Sequence, residues 1–381
     1  MTARLVPATG PARAELDELR GRVRAFLADR IAAGSFVPAV DTWLTRADPE
    51  FTRALAAQGW LGMTIPEQYG GHGRTFLERY VVTEELLAAG APVATHWIAD
   101  RQAAPSLLEY GTEEQKQRFL PGIAAGEICW AIGMSEPDTG SDLASVRTRG
   151  VRVDGGWRIS GTKLWTSGAH HADAFFALVR TAPLDTEHRH AGLSQFIVLL
   201  DSPGVTIRPV ISMSGHHHFN EVLLDDVFIP DELVFGEIGN GWRQVTGELG
   251  YERSGPERFL STLGVLDGLV DAVAAGDAPA DPRIGATLAR MVTLRRMSTA
   301  VAESLQRGEK ADLSASVVKI LGTTIEGDIA DLADEIVGYA AANDRIADLI
   351  RAGVWQRPGF TLRGGTNEIL RGVVARGLGM R

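Results

Sequence analysis

One cysteine, Cys129, is all that the 381 residues provide, so no intrachain disulfide is possible. No run of 18 or more apolar residues occurs, and no membrane-spanning helix is expected. The opening stretch MTARLVPATGPARAELDELR lacks the apolar segment that marks a secretory signal, which makes the cytoplasm the default expectation. Positive charge is also short, with 38 Lys and Arg against 48 Asp and Glu and a net charge of -10. Nucleic acids and anionic membranes reward basic surfaces, so neither is expected as a partner. Internal repeats and long low-complexity tracts are missing as well.

At this length two or three domains are expected rather than one core. Hydrophobic residues at 45% and charged residues at 23% are ordinary for a globular chain, so the order of local patterns carries the information. Leu16, Leu19, Val23 and Leu27 recur at spacings of three and four, the stripe of an amphipathic helix. Residues 75–89 and 112–120 read as further helices, the second opened by Thr112 as N-cap with acids just behind it. Between the first helices, GWLGMTIPEQYGG (residues 59–71) is rich in Gly and Pro and reads as a loop or short strand. A helical domain over 1–125 follows.

The period then changes. Two short alternating runs flank Asp154-Gly155-Gly156, a hairpin signal, and further strand-like runs cover 174–181, 195–200, 205–210 and 221–229. These define a β-domain over 126–238. Helical periodicity returns at Gly241 and holds through a domain spanning 239–381. Helix, sheet and helix in succession, without alternating βα units, make an α+β multidomain protein and exclude a doubly wound dinucleotide-binding fold.

One charge stands out. Trp242, Val245, Leu249, Phe259, Leu263, Leu266 and Val270 form a stripe at helical spacing, and Glu252 lies on it, with Gly255 and Pro256 expected to kink the helix just beyond. A carboxylate among apolar neighbours either finds a partner, such as Arg258 or an Arg on another helix, or has its pKa raised. The first outcome is a structural ion pair. The second suits a general base working near neutral pH.

Several segments then converge. AIGMSEPDTGSDLAS (131–145), GTKLWTSG (161–168) and LRGGTNEILR (362–371), together with GWLGMTIPEQYGG and HHFNEVLLDDVFIP (217–230), resemble the acyl-CoA dehydrogenase family. The resemblance runs along nearly the whole chain in the right order. It implies a helical domain, a β-barrel-like domain and a four-helix bundle, with FAD between the last two. It also implies removal of a Cα proton from an acyl thioester and hydride transfer from Cβ to flavin N5. The product is a trans-2-enoyl thioester, and an electron-transfer flavoprotein takes the electrons. By the same resemblance Met134, Ser135, Trp165 and Ser167 match residues at the flavin ring, and Thr366 and Glu368 a pair near the FAD phosphates and adenosine. Ser141 matches a serine near the pantetheine arm. Read singly, Trp165 is equally an ordinary core residue, Ser135 a turn residue and Thr366 a helix N-cap.

Many members carry a Glu just before the C-terminal Gly-Thr, where this chain has Gly364, which cannot act as a base. In a second group, which includes isovaleryl-CoA dehydrogenase, the base sits on the first long helix of the C-terminal domain immediately before an Arg. Glu252-Arg253 fills that slot, so two routes converge on Glu252. The N–H of Gly364 is expected to polarise the thioester carbonyl. The chain departs from the family elsewhere. An Arg-x-x-Phe-Gly segment that reaches a neighbour's FAD is missing from AAGDAPADPRIGATLARM (274–291), and Glu335-Ile336-Val337-Gly338-Tyr339 replaces a Gln-x-x-Gly-Gly segment. These departures leave a homodimer or homotetramer with an altered FAD site, or a heteromer in which a sister chain completes it. A carrier-protein thioester substrate, an oxygen-using flavoenzyme and a flavin-poor partner subunit are the competing readings. His216, His217 and His218 alternate in direction along a strand and make poor joint metal ligands, so they are assigned to structure or a pocket wall.

Overall fold

The computed structural model describes residues 14–252, 255–309, 311–337 and 344–380. They fall into two compact units: Met1–Arg46 with Arg74–Val93 and Glu252–Arg381, and Ala47–Gly73 with Ala94–Tyr251.

The first unit is helical. Leu19, Val23 and Leu27 are the buried residues of the Ala14–Ala32 helix, as their spacing predicts. Phe76–Ala88 opens with a capping box in which Thr75 and Glu78 satisfy each other's backbone N–H groups. This helix carries buried Glu84 and Glu85. Arg20 bonds both, Arg24 Nε reaches Glu85 at 2.7 Å and Arg295 Nε reaches Glu84 at 2.6 Å. Each buried carboxylate therefore has a cation, without which its burial would be strongly destabilising. The helices Leu263–Ala275, Pro282–Gln306, Asp312–Ile336, Asp344–Phe360 and Asn367–Gly377 complete the unit. Gly322 is needed where the Asp312–Ile336 helix passes residue 258, because a side chain there would collide with the Arg258 carbonyl.

The stripe through Glu252 needs correction. The helix Gly241–Glu252 is not kinked and continued. It gives way to a 3-10 turn, Pro256–Arg258, and a new helix starts only at Leu263. Gly255 and Pro256 break the helix and the 3-10 turn resets its phase, so the spacing cannot be carried across. Val270 is accordingly 38% exposed, while Val265, Leu266 and Leu269 are the buried face. Arg253, which follows Glu252 in the family slot, lies outside the described residues, as do Gly338 and Tyr339.

The second unit is built on an eight-stranded sheet. Its strands are β1 (Trp130–Gly133), β2 (Arg149–Val153), β3 (Gly156–Lys163), β4 (Ala174–Arg180), β5 (Leu193–Leu199), β6 (Val205–Ile211), β7 (His217–Pro230) and β8 (Val234–Phe235). The order is β6-β7-β3-β2-β4-β5-β8, with β1 parallel to β4. The β2–β3 hairpin turns at Asp154-Gly155, where Gly155 takes φ 73°. β7 starts at His217, earlier than the expected Glu221. Polar His and Asn are weak strand formers, but pairing with β6 holds them in the ladder. Helix Glu113–Ala125 packs on the sheet. Its Gln115 side chain donates to the Glu232 and Val234 carbonyls at 2.8 Å each, and Phe119 meets Trp130 edge-on at 5.2 Å.

Candidate functional site

Within the sheet unit, the sequence-predicted residues gather on two loops that one ion pair ties together. Met134 and Ser135 leave the end of β1, and Trp165 and Ser167 follow β3. Ser135 C=O accepts from Leu164 N–H at 2.9 Å. The next residue, Glu136, is bound to Lys163 Nζ at 2.8 Å, and Lys163 also donates to the Leu178 carbonyl at 2.6 Å and the Met134 carbonyl at 3.3 Å. Glu136 further accepts the Arg147 and Thr148 N–H groups at 2.7 and 2.9 Å. Burial pushes the Glu136 carboxyl up, but the Lys163 charge and these bonds outweigh it and hold the carboxyl below its usual range. Burial lowers the Lys163 ammonium to about 8.

Trp165 is 54% exposed and sits at φ 62°, a left-handed backbone that a bulky residue adopts only when its surroundings enforce it. The enforcing residue is Asn220 on β7. Its C=O accepts from Thr166 N–H at 3.0 Å and its side-chain amide donates to the Thr166 carbonyl at 3.0 Å. Phe219 supports the indole edge-on at 5.5 Å. Sequence reasoning missed Glu136, Lys163 and Asn220 as organising residues. An Asn directly before the expected 221–229 strand was the available signal for the last. Ser141 lies exposed on the same loop as Glu136. His217 stacks on His170 with ring centroids 3.9 Å apart and bonds Asn220 at 2.8 Å, while His218 points inward and is buried.

In the helical unit, Gly364 and Gly365 take φ 67° and 85° in the turn before Asn367–Gly377. Thr366 caps that helix by accepting from Ile369 N–H at 3.3 Å, and Glu368 stands exposed in its first turn. The local backbone N–H and the Thr366 hydroxyl hold the Glu368 carboxyl below its usual range. Fully buried Lys319 donates to the Thr361 and Gly365 carbonyls and to Asn367, at 2.8–2.9 Å. Glu252 ends the Gly241–Glu252 helix, whose buried Val245 anchors it in the sheet unit's core. Glu335 is exposed and paired with Arg283 at 2.6 Å, so its charge is met within the chain.

Glu326 is fully buried beneath this turn. Burial raises its carboxyl to about 7, with Ser261 and Arg363 opposing the rise and Asp41 adding to it. A carboxyl raised from 4.5 gives the fold a contribution fully present below about pH 4.5 and lost as pH rises through about 7, on the order of 3 kcal/mol. Thermal melts at about pH 5.5 and about pH 8.5 are expected to differ less in Glu326→Gln than in the wild type. An equal difference in both proteins removes Glu326 as the titrating group.

Helices before and after a mixed sheet, with two motif-bearing loops tied together beside an exposed tryptophan, define a multidomain α+β protein. Known proteins make the assignment specific. Residues 13–127, 131–227 and 280–379 match the N-terminal, middle and C-terminal domain profiles of acyl-CoA dehydrogenase. Acyl-CoA dehydrogenase IpdE1 of Mycobacterium tuberculosis is 34% identical, the match covering 95% of this chain and 96% of that protein. A structure described as "Tcur3481-Tcur3483 steroid ACAD" is 31% identical with a TM-score of 0.85, over 97% of this chain and 99% of the other. The ChsE4-ChsE5 complex from Mycobacterium tuberculosis is 28% identical with a TM-score of 0.82, over 98% of this chain and 100% of the other. The chain belongs to the acyl-CoA dehydrogenase family and is an oxidoreductase acting on a CH–CH bond. The family is generally FAD-dependent. Among the described residues no helix is long and apolar enough to cross a membrane.

Proposed function

We infer that this chain is an FAD-dependent dehydrogenase of a steroid-derived acyl-CoA, with Glu252 as the base. The observation that carries the substrate class is the 31% identity, over nearly both full chains, to a protein described as a steroid ACAD. The described residues fit a flavin. The Thr166 hydroxyl, between Trp165 and Ser167, is buried without a partner, and Trp165 is held outward beside it. Met134, Ser135, Trp165 and Ser167 would hold the ring, and Thr366 and Glu368 the phosphate and adenosine end. Ser141 and Arg253 would contact the thioester. When bound, FAD supplies the acceptor for the Cβ hydride. Glu252 removes the Cα proton, and the Gly364 N–H polarises the thioester carbonyl, acidifying that proton. An electron-transfer flavoprotein is the proposed electron acceptor and the cytoplasm the proposed location. The missing Arg-x-x-Phe-Gly segment favours a two-protein assembly over a homomer, in keeping with the neighbours described as the Tcur3481-Tcur3483 ACAD and the ChsE4-ChsE5 complex.

The test is the visible spectrum of the purified chain before and after anaerobic addition of a steroid side-chain CoA thioester or octanoyl-CoA. A flavin band near ~450 nm that bleaches with the steroid thioester supports the reading. Bleaching by octanoyl-CoA alone overturns the substrate class. A band that persists with both argues against dehydrogenation of either acyl-CoA. A colourless protein that takes up no FAD argues for a chain completed by another subunit.

A further inference from the structure

The unit that contains Gly364 also contains a buried charge cluster that the proposed chemistry does not use. Arg363, directly before the Gly364-Gly365 turn, donates through Nη1 to both Asp41 carboxylate oxygens at 2.9 and 2.7 Å. Its guanidinium lies over Trp43 at 4.7 Å and over Phe360 at 5.5 Å. Asp41 is itself unusual. It is 1% exposed, sits at φ 57°, and opens the Thr42–Thr45 helix without capping it, because its carboxylate is committed to Arg363.

The same short segment holds the chain that follows Glu252. Asp41 N–H donates to the Ser261 carbonyl at 3.0 Å, and Trp43 Nε1 donates to the Ser261 hydroxyl at 3.3 Å. The Arg258 guanidinium also lies over Trp43, at 5.1 Å. From below, Glu326 accepts the Ser261 N–H at 2.9 Å, and Lys319 holds the far side of the glycine turn. Asp41 and Trp43 therefore join the segment 258–261 to the turn that carries Gly364.

Stability alone does not explain this cluster. Arg363 Nε and Glu326 Oε2 are buried without a partner. An incompletely satisfied buried ionic group is commonly no better than apolar packing, so its presence calls for another role. With both glycines in the left-handed region, the conformation of the turn depends on what pins it at each end. We propose that Arg363, clamped by Asp41 and Trp43, is a positioning residue that holds the Gly364-Gly365 turn in the conformation that meets the thioester. The proposal rests on the dehydrogenase reading with Glu252 as base.

The test uses the FAD-loaded full-length chain with Arg363→Gln, Arg363→Lys and Asp41→Asn. Hydrogen exchange of the amides over 361–367, read by mass spectrometry, needs no substrate and is expected to rise about tenfold or more in Arg363→Gln. Flavin reduction by saturating steroid side-chain CoA thioester is expected to fall about 10- to 100-fold with KM changed by less than about threefold, since a misplaced donor acts on the transition state. Arg363→Lys, which keeps the charge but loses the planar stack, is expected between wild type and Arg363→Gln. Wild-type reduction in Arg363→Gln, or unchanged exchange over 361–367, overturns the proposal. Should Arg363→Gln not fold, the charge-balanced double variant Asp41→Asn/Arg363→Gln takes its place, and a wild-type rate there overturns the proposal equally. If Glu252→Gln reduces as fast as wild type, the dehydrogenase reading fails instead, and the exchange result still decides whether Arg363 pins the turn.

Discussion

Glu252→Gln is expected to give a folded, yellow protein whose flavin is no longer reduced by thioester, with the reduction rate down by at least ~10². The substitution keeps the side chain's length and shape and removes only its capacity to take a proton at neutral pH. That loss corresponds to at least about 2.7 kcal/mol of transition-state stabilisation. Thioester binding depends on other groups, so Kd is expected to stay within about threefold while the rate collapses. Anaerobic stopped-flow absorbance separates the two. On the proposed reading Gly364 stands where many family members have a Glu, and the carboxylate at the end of the Gly241–Glu252 helix takes over as base. A variant with near wild-type reduction would remove Glu252 from the mechanism.

Local rules in the sequence reached the fold well. Thr112 is an N-cap with its capping box, Gly155 turns the β2–β3 hairpin, and Leu19, Val23 and Leu27 face inward. Each depends on residues a few positions apart, where spacing and turn chemistry act directly. The stripe across Pro256 misled because periodicity assumes an unbroken helix. The candidate site was legible as motifs, and its framework was not. Asp41 and Arg363 are 322 positions apart, and Glu136 and Lys163, at the end of β3, are 27 apart. Nothing in a linear pattern distinguishes such a buried pair from ordinary surface charges, which are far more common. The motifs Ser-Glu-Pro and Gly-Thr-Lys each carry one half of the second pair, so part of what makes them recognisable is structural rather than chemical.

That second pair carries the largest stability effect expected here. Lys163→Met is expected to destabilise the fold by about 3–5 kcal/mol, because it leaves the Glu136 carboxylate buried without its cation. Lys163 is fully buried and Glu136 is 7% exposed, so water cannot replace the lost partner. Glu136→Gln is expected to lose a similar amount for the converse reason, since Lys163 would keep only the Leu178 and Met134 carbonyls. The double variant Glu136→Gln/Lys163→Met removes both charges and is expected to recover a good part of the loss. Urea melts followed by tryptophan fluorescence measure all three. Additive losses in the double variant would mean that the two side chains act independently, and single losses below about 1 kcal/mol would mean that solvent reaches the pair. A functional signature should accompany the loss. Glu136 follows Ser135 and Lys163 precedes Leu164 and Trp165, so breaking the pair frees at once both loops that carry the proposed flavin residues. The single variants are therefore expected to bind FAD more weakly even where they remain folded, whereas Glu252→Gln keeps its flavin. Retention of FAD, measured side by side, separates the residue proposed for chemistry from the pair that builds the site.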